Sequence, residues 1–259
     1  MRLMQLFQWA SCWAKSTTVE GSWTWDAVTD YGLKVTRDTD GDGEIDLCAT
    51  NDVRVWDLAA SNGASITRVN DDGKIVFTAD EPAYIEAFEQ IYQWRTESKI
   101  LVPNTTFTQQ QNLFGFSSLA FNLGSYMEQF DFEWGILPLP KGPRADEYYW
   151  TVQAVSTTLI PKNAADPEGL ATLRAFLWRE EDVLQSDVLA AHTNSKESAQ
   201  VFLTANQEWQ GQASRLFQNL LGEFSDLAPQ IYDGTRSTTA TMAELKPFVQ
   251  SRLDDLFNQ

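Results

Sequence analysis

"GSWTWDAVTDYGLKVTRDTDGDGEID" spans residues 21–46, and its reading decides the fold. Its first half is a helix: Thr24 is the N-cap, and Trp25, Val28, Gly32 and Val35 recur on one face. Its second half, Asp38 to Asp46, holds four aspartates and a glutamate in nine positions. A calcium loop needs oxygen ligands at alternating positions and a glycine where the chain turns sharply. Asp38, Asp40 and Asp42 stand at positions one, three and five, and Gly43 at six. Glu44 at seven offers its main-chain carbonyl, Ile45 is the apolar pin, and Asp46 fills position nine. Position twelve is Ala49, which has no carboxylate, so Asp46 or Asp52 has to stand in. The competing reading is an acidic, solvated turn. The expectation is a structural Ca2+ of weak affinity held by Asp38, Asp40, Asp42, Glu44 and Asp46, locking the helix end onto the next strand.

Outward from this stretch, the pattern alternates strands with helices and then turns helical. Residues 66–69 and 74–78 read as a hairpin around the turn 70–73. Asp80 reads as the cap of a helix with Pro82 in its first turn and a stripe of Ile85, Phe88, Ile91 and Tyr92. A short strand is expected at 118–122, a strand running into a proline-punctuated loop over 134–143, and a longer strand at 150–161. Asp166 caps a further helix with Pro167 at its first position. From there to residue 259 the pattern is nearly all helical, with no internal repeat. The class is α/β, layered.

Composition narrows the function. The chain has 259 residues, 43% hydrophobic, with 36 acidic and 19 basic side chains and a formal net charge of −17. That size allows a sizeable core. The charge repels phosphate backbones and anionic lipid, so no nucleic-acid partner is expected. The acids lie among many aromatics, which argues against disorder. No apolar run reaches the roughly 18 residues of a membrane span. The start, "MRLMQLFQWASCWA", mimics an export signal but is broken by Gln5 and Gln8, and is read as a buried or frayed terminus. Cys12 and Cys48 permit one disulfide without implying it.

Catalytic machinery is not in evidence. The single histidine, His192, sits in a polar helical stretch. There is no G-x-S-x-G elbow, P-loop or G-x-G-x-x-G, and the two cysteines lack zinc spacing. Pairs of carboxylates are cheap to find among 36 acids and carry little weight for glycoside hydrolysis. No catalytic residue is assigned.

The order of motifs carries a resemblance. The stretch 21–46 is followed by "VWDLAASNGASI", "VNDDGKIVFTADEPAYIEAFEQIYQW", "SLAFNLGSYM", "FEWGILPLPKGP" and "LIPKNAADPEGLATLRAFL". Over about residues 20–259 the chain resembles the bacterial extracellular solute-binding proteins of carbohydrate ABC importers, the group of maltose-binding protein. The resemblance implies a type II periplasmic-binding-protein fold, a carbohydrate ligand between two lobes, ABC permease subunits as partners and an extracytoplasmic place, periplasmic or lipoprotein-anchored. Carried residue by residue, it puts Tyr126 of "NLGSYM" where relatives place a ring that stacks on ligand. Trp56 lies near cleft-facing aromatics, Asn62 and Gly63 match the "NGG" that ends that segment in relatives, with Ala64 in place of the second glycine, and Trp150 precedes the hinge-region strand, beside Tyr149 and Gln153. A sugar presents apolar C–H faces and a polar rim, which suit rings and amides. The competing reading for each ring is core packing, since ten tryptophans must mostly be buried.

In that family the tryptophan-rich motif follows a large part of the N-terminal lobe, whereas here about twenty residues precede it. The expected organisation is a non-matching segment 1–20, a C-lobe core 21–155, a segment 156–215 that would return to the N-lobe, and C-terminal helices 216–259 packing on the C-lobe. A chain lacking most of one lobe would leave the apolar faces of "LATLRAFLW" and "VFLTANQEW" bare, so self-association is expected. Two alternatives stay open: a carbohydrate-active enzyme, and a calcium-stiffened interaction module without a small ligand.

Overall fold

Thr24 starts the first helix, α1 (Trp25–Val35), by accepting the Ala27 N–H at 3.3 Å on its side-chain oxygen. The buried face is Trp25, Val28, Gly32 and Val35, the set that the periodicity predicts. In this computed structural model the described residues are 21–116, 130–132, 134–149, 151–152, 159–177, 198–201, 204, 210–211 and 222–258.

Gly32 lets α1 lie directly on the chain beneath it. A Cβ there would sit 2.8 Å from Ile100 Cδ1 and 2.9 Å from Ala49 Cβ. Ala49 belongs to a short extended segment held on both sides. Its N–H donates to Ile100 O (2.9 Å) and Val102 N–H donates to Thr50 O (2.9 Å). On the other flank Cys48 N–H donates to Gln111 O (3.0 Å), and Phe114 N–H to Ala49 O (2.8 Å). The pairs Thr50–Leu101 and Cys48–Asn112 are parallel. This small three-ply layer buries Cys48, Ala49 and Thr50 completely or nearly so. Cys48 is a free thiol in that layer.

Helix α2 (Val55–Ser61) ends in a left-handed turn. Gly63 takes φ +76°, its N–H reaches Ala60 O, and Ala64 N–H reaches Ala59 O. That pattern satisfies the last carbonyls of the helix. The hairpin follows as read: β1 (Thr67–Val69) pairs antiparallel with β2 (Ile75–Phe77), with Val69 opposite Ile75. Asn70 shapes its turn by accepting the N–H groups of Asp72 and Lys74.

Helix α3 (Pro82–Tyr92) runs into a π-helical turn at Gln93–Glu97. Two expectations need correction here. The N-cap is Glu81, one residue later than read, and no side chain caps it. Asp80 instead pairs with Lys246 at 2.5 Å. The buried stripe is Tyr84, Ala87, Phe88 and Ile91, while Ile85 and Tyr92 are half-buried. The face turned inward is set by what packs on it, and Phe88 meets Tyr232 with ring centres 5.7 Å apart.

Helix α4 (Pro167–Leu177) opens as predicted, with the Asp166 carboxylate accepting Gly169 N–H at 2.8 Å, but it buries none of its residues. A two-residue strand, β3 (Thr151–Val152), pairs in parallel with β4 (Gln210–Gly211). Of the strand expected to run into a proline-punctuated loop over 134–143, the loop is present and the strand is not: the stretch contributes one bridge, Lys141 to Thr24. Pro138, Pro140 and Pro143 remove the donors a ladder needs. The strand expected over 150–161 has only β3 and the irregular 159–161 within the described residues, and 118–122 lies outside them. Helices α5 (Gly222–Tyr232) and α6 (Thr238–Phe257) close the chain. Ile231, Met242, Leu245, Val249 and Leu253 join Trp25, Leu58, Phe88 and Trp94 in one core. Among the described residues no helix is long and apolar enough to cross a membrane.

Candidate functional site

The aspartate loop is closed at its base by Arg37 and Leu47, whose backbones exchange hydrogen bonds of 2.9 and 3.1 Å. Inside it, each aspartate folds the chain by accepting nearby N–H groups, the local habit of this side chain. Asp38 accepts Asp40 and Gly41 on one oxygen (3.1 and 2.6 Å) and Gly43 on the other (2.8 Å). Asp40 accepts Asp42 N–H, and Asp42 accepts Glu44 N–H. Gly41 and Gly43 take φ +86° and +97°, values open to glycine at little strain. The outcome is that Asp38, Asp40 and Asp42 bring one carboxylate oxygen each to within 4.8 Å of one another.

The N–H groups of Gly41 and Gly43 hold the Asp38 carboxyl below its usual range. Asp46 is also held low, by the Thr39 hydroxyl and N–H, which donate to it at 2.5 and 2.6 Å. Asp46 therefore ties the loop across itself and stands apart from the three converging carboxylates. Glu44 is exposed, and its N–H is the group tied to Asp42. Ala49, at position twelve, is fully buried against α1, and a core position of that kind admits no ligand. The charge on Asp52 is felt at the Tyr232 hydroxyl, which burial and that carboxylate push upward. The donor set is all oxygen and hard, the kind that suits Ca2+ over zinc or a softer ion.

The second set of sequence-predicted residues lies on and beyond α2. Trp56 is half-buried, packed against the core, with the Arg54 guanidinium 5.9 Å from its ring centre. Gly63 is exposed at the helix end. Asn62 is 1% exposed, and its whole amide is engaged within the chain. Its Nδ2 donates to Ala83 O and to Glu86 Oε2, both at 2.9 Å, and its Oδ1 accepts the Arg144 N–H at 2.9 Å. The Arg144 guanidinium closes the ring by a bidentate pair with Glu86 at 2.7–2.9 Å. Arg144 and Asn62 together hold the Glu86 carboxyl below its usual range. Gly142 completes the fit: its N–H donates to Ser61 O at 2.8 Å, and a Cβ there would meet Asn62 Cγ at 2.7 Å. Asn62 thus latches the loop 141–147 to α3, upstream of Tyr148, Tyr149 and β3. Tyr126, Trp150 and Gln153 lie outside the described residues.

Two features escaped the sequence reading. The latch joins residues 82 positions apart, and no local pattern announces it. The other is a group of rings: Phe130 stacks on Phe132 (centres 5.0 Å apart), both meet Phe107 edge-on at 5.6 Å, and Trp134 abuts Phe130 at 6.3 Å. All four are half-buried. Here a signal existed, because "FDFEW" alternates aromatic and acidic residues and places Phe130, Phe132 and Trp134 on one side of an extended chain.

Comparison with known proteins gives three findings. The sequence profile of the family described as bacterial extracellular solute-binding protein matches residues 6–214. No curated protein sequence matches. Among solved structures, a maltose/maltodextrin-binding domain MalE from Bdellovibrio bacteriovorus bound to maltotriose is similar, with TM-score 0.63, 14% identity, 90% of this chain covered and 67% of that one. An ABC substrate-binding protein from Listeria monocytogenes in complex with cycloalternan gives 0.58, 14%, 89% and 64%. UgpB from Mycobacterium tuberculosis in complex with glycerophosphocholine gives 0.60, 18%, 90% and 64%. At these identities the likeness is one of fold, and the fold is that of type II periplasmic binding proteins. The chain spans about two thirds of the length of the solved proteins it matches.

Proposed function

We propose, starting from the fact that the chain belongs to the bacterial extracellular solute-binding protein family, that it binds a sugar or oligosaccharide, without turning it over, as the capture component of an ABC importer outside the cytoplasm. The observation that carries this reading is the family match, which takes in residues 6–214. Physical support comes from partly exposed rings. Trp56 and the Phe107–Phe130–Phe132–Trp134 group offer faces of the kind that C–H surfaces of a sugar cover. Tyr126, Trp150 and Gln153 are the further ligand contacts of this reading. Asn62 and Gly63 serve it by building the turn on which the loop 141–147 rests. Permease subunits are the protein partners.

Isothermal titration with maltotriose, a cyclic glucan and glycerophosphocholine tests the proposal. Binding of a saccharide, with the same saccharide recovered unchanged by chromatography, is the expected result. Saturable heat from glycerophosphocholine alone would replace the ligand class. Release of shorter sugars would replace the whole reading with an enzyme.

The same reading takes the aspartate loop as a structural Ca2+ site. Asp38, Asp40 and Asp42 would hold the ion by side-chain oxygen and Glu44 by its main-chain carbonyl, with Asp46 fixing the loop. When bound, the ion supplies rigidity between α1 and the segment at Ala49. Lacking the bidentate carboxylate, the site belongs among weak ones, with Kd of roughly 10⁻⁴–10⁻³ M. At ~10 mM Ca2+ that stabilises the fold by about 1.4–2.7 kcal/mol. A melting curve with and without Ca2+ measures it, and Asp40→Asn removes the difference. Equal melting temperatures with Ca2+ and with chelator would leave the loop as a solvated turn.

A further inference from the structure

Asn62 and Gly63 form the one Asn-Gly pair of the chain. Such a pair is prone to cyclise, because glycine sets no side chain beside its own N–H. The Gly63 main-chain nitrogen would bond to Asn62 Cγ and give up its proton, the Cγ–Nδ2 bond would break, and ammonia would leave. Water then opens the cyclic imide to aspartate or isoaspartate, so the balance is one water taken up for one ammonia lost. In the fold, each atom of this reaction is tied elsewhere. The Gly63 N–H donates to Ala60 O at 2.9 Å. The leaving nitrogen, Nδ2, donates to Ala83 O and Glu86 Oε2, both at 2.9 Å. Oδ1 accepts the Arg144 N–H at 2.9 Å. Asn62 is also 1% exposed, which keeps water from it. Gly63 itself is exposed at φ +76°, and a Cβ there would meet nothing within 4 Å. Once the Asn62 side chain is loose, nothing crowds the ring closure.

We propose that Asn62 is a latent deamidation site gated by its own latch: release of the loop 141–147 from α3 frees the pair to cyclise, and the product cannot latch again. The gate is local. It joins one loop to one helix, and its outer clasp is the pair Arg144–Glu86, whose side chains are 52% and 28% exposed. Water and salt reach a pair of that kind, so it opens at less cost than the core around Leu58 and Phe88. The step runs one way because of what the product carries. Aspartate has no donor for Ala83 O and sets a second negative charge against the Glu86 carboxylate. Isoaspartate moves a methylene into the main chain and carries its carboxylate out of register with Arg144. Each opening that ends in cyclisation therefore leaves a molecule with one more negative charge and its loop unfastened. Arg144 and Glu86 are positioning residues in this device, since they hold the amide away from the attacking nitrogen.

Incubation of the full chain at mildly alkaline pH, with peptide mass spectrometry reading each asparagine separately, tests the proposal. In guanidinium, Asn62 is modified faster than any other asparagine. In the folded chain its rate falls by ~100-fold or more, as a closed latch demands. Arg144→Ala removes the clasp and raises the folded-state rate at Asn62 by ~10-fold or more, with the other asparagines unchanged. Gly32→Ala, which strains α1 without touching the latch, leaves the Asn62 rate near that of the unsubstituted chain. Equal rates in the folded and unfolded chain overturn the proposal. So does a folded Arg144→Ala variant with an unchanged rate, and so does an equal acceleration by Gly32→Ala, which would make the opening global. Should Arg144→Ala fail to fold, amide exchange in the unsubstituted chain decides. The Arg144 N–H exchanges faster than the Leu58 N–H if the latch opens by itself, and at the same rate if only the whole fold opens. The deamidated chain, separated by anion exchange, has lost protection at the Arg144 N–H; retained protection overturns the one-way step.

Discussion

Replacing Asn62 by alanine separates a structural latch from a ligand contact. The substitution deletes the bonds to Ala83 O and Glu86 and the acceptor for Arg144 N–H, all at 2.9 Å around a side chain that is 1% exposed. The part-buried Arg144 N–H loses its acceptor, while Ala83 O lies in the first turn of α3 and keeps the donor of the helix ladder. One such orphan costs roughly 1–3 kcal/mol, and the space left beneath Gly142 adds to it, so a total of about 1–4 kcal/mol is expected. Against a typical stability of about 5–15 kcal/mol that is a large fraction. Urea unfolding followed by circular dichroism reads it as a fall in midpoint at unchanged slope. A shift within about 0.5 kcal/mol, with only ligand affinity lost, would refute the latch, because that is how a surface contact behaves. Asn62→Asp sharpens the test. It keeps an acceptor for Arg144 N–H but turns the donor into an oxygen facing the Glu86 carboxylate and Ala83 O. Burial and Glu86 raise the new carboxyl's pKa in the fold above its unfolded value of about 3.9. The folded state then binds the proton more readily than the unfolded one. The deficit of this variant relative to the parent is therefore largest at neutral pH and shrinks as pH falls.

Gly32→Ala sets helix propensity against sterics: alanine gains about 1 kcal/mol in a helix interior, but the contacts at 2.8–2.9 Å to Ile100 and Ala49 are overpacked by about 1–3 kcal/mol, so net loss is expected in a urea melt. Acid acts on Asp46 and Glu86, whose carboxyls are held low in the fold. Their contribution is present above the unfolded pKa values and is lost as pH falls through the lower folded ones; the Thr39 amide and the Arg144 Nε–H resonance report each loss in an NMR titration. On α4, Phe176→Glu and Leu173→Lys change side chains that are 63% and 51% exposed, so melting should not move, while any self-association through that face falls in a sedimentation series.

The sequence by itself determined the elements whose forces act over a few residues. Thr24 and Asp166 cap helices by bonds three positions long, the α1 face follows from spacing, and Asn70 closes its own turn. The aspartate loop is of the same kind, the carboxylates of Asp38, Asp40 and Asp42 bonding N–H groups two to five positions on. The solute-binding family was legible too, because the order of such local motifs survives where single residues do not. Tertiary structure decided the rest. Asp80 reads as a cap, yet Lys246, 166 residues away, takes its carboxylate, and the next residue, Glu81, is the N-cap. Asn62 stands out in the sequence, but only the loop bearing Gly142 and Arg144 turns its amide into a latch. The stretch 134–143 has the apolar content of a strand, and its prolines leave it a single bridge. Gln250 and Asn258 look like ordinary polar positions on a helix, until the fold lays the β2 edge beside them. A hydrogen bond between distant residues leaves no trace in local spacing, since either partner alone is free to satisfy itself with water.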